Sequence, residues 1–139
     1  MKTKIVSLVL ALTLMFTFSV PAFAKTASSG TSDIHVMFTN TDDVSSIISF
    51  DGNCANCGAI VDAKTGTTKI VVTGVLKKVT ASGTTTVKSW TSTVYGETLY
   101  LDKYWYVTSG YEYEFEVLAK VYRSGTVEAI SVTNSAYCG

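Results

Sequence analysis

The chain has 139 residues with 11 basic and 11 acidic side chains, so its formal net charge at neutral pH is zero. Apolar residues make up 47% and charged residues 16%, a composition that excludes a highly charged disordered chain. The lack of a basic excess excludes nucleic acid as an expected partner, because phosphate binding needs clustered positive charge.

The first 24 residues have the features of a cleaved secretory signal peptide. Two lysines precede an uncharged, apolar run over 5–20, and an Ala-Phe-Ala motif at 22–24 fits the small-x-small cleavage rule. The apolar run is short for a membrane span of about 20 residues. The sequence therefore predicts a secreted, extracellular protein with no stable membrane insertion after cleavage. Loss of Lys2 and Lys4 leaves a mature chain, 25–139, with a net charge of −2.

Residues 25–50 begin with Ser, Thr, Ala and Gly and show no sustained periodicity. This stretch predicts a flexible N-terminal arm that runs into irregular structure. Within it, 44–50 fits either a short strand or a helical turn. The predicted β domain follows, over 51–139.

From Cys57 onward, glycine recurs after a serine or threonine, and the runs between are rich in Val, Ile, Thr, Tyr and Trp. Such residues suit strands, and the glycines suit hairpin turns. The pattern predicts about six strands, near 57–64, 67–80, 84–95, 98–107, 111–122 and 126–137. We expect an all-β fold, an antiparallel β-sandwich or partly closed barrel joined by Gly-containing hairpin turns. The alternative is a single meander with one face covered by the N-terminal segment.

Two turns predict strand register. A three-residue loop that ends in Gly110 places Trp105 opposite Tyr113, in a hairpin of the fourth and fifth of these strands. The same rule, applied to the hairpin around Gly83, places Trp90 opposite Gly74. The alternation of apolar residues from Tyr111 to Val121 indicates the buried face.

The face opposite this predicted core carries aromatic rings beside carboxylates. Its members are Tyr100, Asp102, Tyr104, Tyr106, Glu112 and Glu114. Exposed rings can stack on sugars while acids accept hydroxyl protons, so this face is a candidate binding site for a glycan. A protein ligand suits such a patch equally. The alternative is that the face packs on a second sheet, with the tyrosine hydroxyls bonded inside.

The three cysteines, Cys54, Cys57 and Cys138, are disulfide candidates, because thiols outside the cell are usually oxidised. A bridge from Cys138 to Cys57 or Cys54 would join the two ends of the predicted sheet, and a Cys54–Cys57 bridge is the alternative. The third thiol then stays free or links two chains into a disulfide-bonded dimer. Zinc binding by these thiols with His35 has little support, because a single CxxC pair is weak evidence.

No motif for a nucleophile, a metalloprotease or a phosphate-binding loop is present, so we expect neither an enzyme nor a metal or cofactor. The closest approach to a catalytic pattern is Glu112, Glu114 and Glu116 along one strand face. Neighbours two residues apart lie about 7 Å from each other, a spacing that inverting glycoside hydrolysis tolerates. A solvated strand face explains the same pattern.

A combination of segments supports a resemblance. They are the AxA signal, Gly-Thr-Thr-Lys-Ile-Val-Val at 66–72, the Trp90 strand, Ser-Gly-Tyr-Glu-Tyr at 109–113 and Ser-Val-Thr-Asn-Ser-Ala at 131–136. The chain resembles short secreted proteins of unknown function from clostridial and related Gram-positive bacteria. The resemblance implies a small exported β protein and assigns no catalytic residue.

These observations together predict a secreted, non-enzymatic β module that binds a cell-surface, cell-wall glycan or protein ligand. The alternative is a secreted antagonistic or toxin-like protein that acts on neighbouring cells. The chain lacks the cationic amphipathic character that direct attack on membranes favours.

Overall fold

The structure is a computed structural model that describes residues 38–139. The predicted signal peptide, His35 and the first part of the predicted arm lie outside these residues. Seven strands are formed: β1 Thr41–Asp51, β2 Cys54–Ala63, β3 Thr67–Thr80, β4 Gly83–Val94, β5 Thr98–Tyr106, β6 Tyr111–Arg123 and β7 Thr126–Cys138. The described residues contain no helix that is long and apolar enough to cross a membrane.

The strands form two antiparallel sheets. Sheet A has the order β1-β2-β5, and sheet B has the order β4-β3-β6-β7. The inner faces of the two sheets enclose one core, so the molecule is a β-sandwich, and the predicted all-β antiparallel fold is confirmed. There are seven strands instead of about six, and the sandwich, not the partly closed barrel, is the form observed.

The additional strand is β1, which lies within the segment predicted as a flexible arm. Its inward side chains Val44, Ile48 and Phe50 pack on the core. Ser46 also points inward, where its hydroxyl donates to the Phe115 carbonyl at 2.7 Å, so its polar group is satisfied. The predicted arm therefore ends before residue 41, and of the two alternatives left open for 44–50 the strand is the one formed. Serine interrupts the apolar alternation here, which is why the sequence did not indicate the strand clearly.

The centre of the core is a contact between the two sheets around Gly74 on β3. Gly74 lies opposite Trp90, as predicted, but the turn differs from the predicted three-residue loop: Thr80 pairs with Gly83, and a register shift next to Leu76 then brings Trp90 opposite Gly74. The missing side chain makes room for the Phe115 ring, which is fully buried and meets Trp90 edge-on at 6.4 Å between centroids. The alternating buried residues of β6, from Tyr113 to Val121, confirm the predicted core face of that strand.

The predicted β5–β6 hairpin was wrong. Trp105 pairs with Ala55 on β2, and β6 belongs to the other sheet. The connection over 107–110 crosses between the sheets, because each of its ends continues the hydrogen bonding of its own sheet. Val107 N–H donates to the Asn53 carbonyl at 2.8 Å, and Gly110 N–H donates to the Cys138 carbonyl at 2.7 Å.

Tyr113 holds this crossing connection in place. Its ring is buried, and its hydroxyl donates to the Thr108 carbonyl at 2.7 Å. A Tyr113→Phe variant keeps the ring and leaves that carbonyl without its partner, so we expect a loss of about 1 kcal/mol in the free energy of unfolding. Urea denaturation of both proteins measures the difference. An unchanged midpoint would mean that the hydroxyl contributes nothing to stability.

The two sides of the sandwich differ. On the closed side, β1 runs beside β7, and side chains join the two strands: Asn134 Nδ2 donates to the Ser46 carbonyl at 3.1 Å. On the open side, the edge strands β4 and β5 border a groove of about 450 Å³. Lys88 and Lys103 project into this groove from the core-facing side of their strands, and the Lys88 ammonium lies 4.4 Å from the centre of the Trp105 ring.

Candidate ligand-binding face

The outer surface of sheet A brings three rows of side chains together. We call it the tyrosine face; it consists of alternate residues of β1 from Asp43 to Asp51, of β2 from Cys54 to Asp62 and of β5 from Thr98 to Tyr106. The register sets its cross-strand rows: Ser45–Ile60–Tyr100, Ile47–Gly58–Asp102 and Ser49–Asn56–Tyr104. No other described strand covers this face, because sheet B packs on the opposite side.

Three tyrosines dominate the tyrosine face. Tyr100, Tyr104 and Tyr106 are 70%, 66% and 72% exposed, and the last two rings meet edge-on with centroids 6.4 Å apart. Asp102 lies between Tyr100 and Tyr104 on the same side of β5. The alternative that these rings pack under a second sheet was wrong, since they face away from the core.

The two glutamates predicted for this face lie elsewhere. Glu112 and Glu114 belong to β6 and point outward from sheet B, on the far side of the sandwich. The predicted six-residue face is thus divided, because its β5 and β6 halves do not pair. Glu116, their neighbour, forms an ion pair with Lys77, whose hydrogen bond lowers the pKa of Glu116. A lowered pKa disfavours a general acid at this position.

A hollow of about 270 Å³, which was not predicted from the sequence, lies in the middle of the tyrosine face. It forms because Gly58, on the central strand, has no side chain between Ile47 and Asp102. Apolar atoms of Ile47, Ile60 and Tyr100 line it, and Asn56 and Asp102 supply polar groups. Alternation along β2 could have placed Gly58 on the outer face of the strand, but its neighbours Ile47 and Asp102 depend on long-range pairing.

The tyrosine face is also acidic. Asp43, Asp51, Asp62 and Asp102 point outward on it, and none of its positions holds a lysine or arginine. Asp43 lies directly opposite Asp62, an arrangement of like charges that costs stability. Within residues 38–139, none of these four carboxylates forms an ion pair or a side-chain hydrogen bond.

The three cysteines are free in the structure, so none of the predicted disulfides is formed. Cys54 and Cys57 are three residues apart on one strand and therefore point to opposite faces, which excludes a bridge between them there. Cys57 is buried in the core, and burial, followed by the charge of nearby Cys54, raises its pKa to about 12. Cys138 is also buried, and its thiol donates to the Gly52 carbonyl at 3.5 Å. The disulfide-linked dimer stays a prediction.

No protein-family model matches this chain, and no curated protein matches it. Among solved structures, the chain is similar to CsgH from R. palustris, determined in solution, with 9% identity and a TM-score of 0.41 over 69% of this chain and 91% of that one. It is also similar to Spo0M, a sporulation control protein from Bacillus subtilis, with 13% identity and a TM-score of 0.37 over 71% of this chain and 48% of that one. At these values neither structure bears on function.

Proposed function

We propose that this protein is an exported, non-enzymatic β module that binds a glycan through the tyrosine face. The observation that supports this proposal is the row of Tyr100, Tyr104 and Tyr106, each about two-thirds exposed on one strand. Large apolar rings rarely cluster at the surface of a domain without a ligand or partner to cover them. Their flat faces match the apolar faces of sugar rings.

Polar groups of the same face complete the match to a sugar. Asp102 accepts hydrogen bonds from hydroxyls, and the Asn56 amide both donates and accepts them. Tyr100 and Tyr104 are four residues apart, which corresponds to about 13 Å along the strand. The hollow at Gly58 lies between their rows, so an extended oligosaccharide can contact both rings while one unit enters the hollow.

The test is retention of the purified protein, residues 25–139, on insoluble cell wall and on a set of insoluble polysaccharides. We expect the parent protein to be retained on at least one of them. A Tyr100→Ala/Tyr104→Ala double variant should bind at least about fivefold more weakly, because each aromatic contact contributes about 0.5–1.5 kcal/mol. Circular dichroism confirms that the variant is folded.

Tyr137→Ala is the matched control. Tyr137 is 65% exposed, as Tyr104 is, but it lies on the outer face of sheet B. Its loss should leave retention unchanged. Equal loss of binding in the control and the double variant would locate the site elsewhere, and no retention of the parent on any polysaccharide would refute the glycan proposal in favour of a protein ligand.

A further inference from the structure

We infer that the glycan bound by the tyrosine face is cationic, a polymer of sugars with free amino groups. This inference rests on the proposed function and names the chemical class of its ligand. Three features of the described residues support it: the distribution of charge between the sheets, the tyrosine rings with no cation over them and the position of Asp102.

Charge is divided unequally between the two sheets. The strands of sheet A carry five aspartates and one lysine. The strands of sheet B carry six basic and four acidic residues. The single lysine of sheet A, Lys103, is on the inner side of β5, so the tyrosine face has only negative charge. An anionic glycan would be repelled from this face, and a cationic one would be attracted.

The tyrosine rings of this protein differ in whether they already hold a cation. On sheet B, the Lys69 ammonium lies 4.0 Å from the centre of the Tyr122 ring, and the Lys78 ammonium lies 3.3 Å from that of Tyr111. Within residues 38–139, no ammonium or guanidinium group lies over Tyr100, Tyr104 or Tyr106. A ring face beside a carboxylate is a favourable place for an ammonium group, because the ring quadrupole and the negative charge act together.

The position of Asp102 allows its carboxylate to form an ion pair with that ammonium group. It alternates with Tyr100 and Tyr104 on the outer side of β5, so a carboxylate stands about 7 Å along the strand from each ring. It also borders the hollow at Gly58, and it forms no ion pair within the described residues, although it lines the groove that holds Lys88 and Lys103. An amino group of a sugar in the hollow can therefore reach the carboxylate while the sugar ring contacts Tyr100.

The experiment compares two soluble oligosaccharides of equal length, one of glucosamine with free amino groups and one of N-acetylglucosamine. Affinities of residues 25–139 are measured by calorimetry at low salt and at a pH where the amines are protonated. We expect the free-amine form to bind at least about tenfold more tightly. The difference should shrink in high salt, because exposed charges are screened.

An Asp102→Asn variant isolates the charge. Asparagine keeps the size and one hydrogen-bonding oxygen, so both oligosaccharides should bind more weakly, but the free-amine form should lose several-fold more affinity than the N-acetylated form, and the preference for the free amine is largely lost. Glu112→Gln, an equivalent change on the outer face of sheet B, is the control and should alter neither affinity.

The outcomes separate the two proposals. Equal binding of both oligosaccharides, with no effect of Asp102→Asn, would overturn the cationic ligand and leave the glycan site standing. Binding of neither, together with no retention on any polysaccharide, would overturn both.

Discussion

A Gly74→Ala variant is expected to be roughly 3 kcal/mol less stable than the parent protein, because the added methyl group overpacks the core. The added Cβ would lie 2.5 Å from Cζ of Phe115 and 2.9 Å from Cδ2 of Leu101. Phe115 is fully buried and Leu101 comes from the opposite sheet. The steric overlap can therefore be relieved only if the two sheets move apart or the Phe115 ring moves out of its position. Close-packed interiors resist both movements.

Urea denaturation followed by tryptophan fluorescence measures this difference. Gly58→Ala is the matched control, since Gly58 is also a strand glycine but lies on the outer face, where the nearest atom to a new Cβ is 3.6 Å away. Its stability should change by less than about 0.5 kcal/mol. In the double variant Gly74→Ala/Phe115→Leu, the smaller side chain should recover part of the loss. If the Gly74→Ala variant unfolded at the same urea midpoint as the parent, the close contact of Phe115 and Leu101 with Gly74 would be contradicted.

The second large effect is expected from Glu128→Gln, with a loss of about 2–3 kcal/mol at neutral pH. The Glu128 carboxylate accepts hydrogen bonds from Thr39 N–H at 2.6 Å, from Asn40 N–H at 2.8 Å and from the Thr41 hydroxyl at 2.9 Å. It thereby anchors the start of β1 to β7 on the closed side. Glutamine keeps one accepting oxygen, but its NH₂ group replaces the second oxygen and faces an N–H or O–H donor. At least one of the three hydrogen bonds is therefore lost.

The loss should depend on pH. Burial alone would raise the pKa of Glu128, but the amides of Asn40 and Thr39, the Thr41 hydroxyl and nearby Lys64 outweigh it, and the pKa is lowered. The ionised carboxylate therefore contributes its full stabilisation of the folded state at pH values above 4.5, the pKa of Glu128 in the unfolded chain. This stabilisation is lost as the pH falls through the lower pKa of the folded state.

Unfolding free energies of the parent and Glu128→Gln, measured at pH 7 and in steps down to about pH 2, test the sign. The difference in unfolding free energy between the two proteins should be largest at pH 7 and should decrease as the pH is lowered. Glu112→Gln, which removes an exposed carboxylate with no hydrogen bond in the described residues, should track the parent throughout. A gap that stays constant with pH would show that packing, and not the charge, accounts for the loss.

The sequence predicted those parts of the fold in which a strict alternation of apolar residues identifies the buried face. In the β3–β4 hairpin the predicted three-residue turn was wrong, since Thr80 pairs with Gly83, but the alternation still placed Gly74 and Trp90 on the core face. A shift of one residue along the whole strand would have turned that face to solvent, and the bulge next to Leu76 prevents this by restoring the register.

The sequence failed at β5 because alternation fixes which side of a strand is buried but not which strand lies beside it. The turn at Gly110 fitted a hairpin, yet the chain crosses to the other sheet there. The register that placed Trp105 opposite Tyr113 would also have placed Lys103 opposite Phe115 on the core face. Lysine is rarely buried without a partner, so this pairing already counted against the hairpin. In the structure Lys103 faces the open groove instead.

The sequence predicted the part of the candidate site that lies on one strand, and it did not predict the part that depends on which strands are neighbours. Tyr100, Asp102, Tyr104 and Tyr106 are all on one strand, so period-two alternation was sufficient to group them. The hollow at Gly58 and the facing aspartates of β1 and β2 depend on long-range pairing. No local signal in a single sequence specifies that β5 lies beside β2.

The lysines of the open side have a consequence for behaviour at high concentration. β4 and β5 are edge strands, and such edges invite a strand from a second molecule. A strand that paired with β4 or β5 would lie directly beside Lys88 or Lys103. Its apolar side chains would then contact an ammonium group instead of the apolar core. The two side chains that interrupt the core at this groove therefore disfavour growth of the sheets from one molecule to the next.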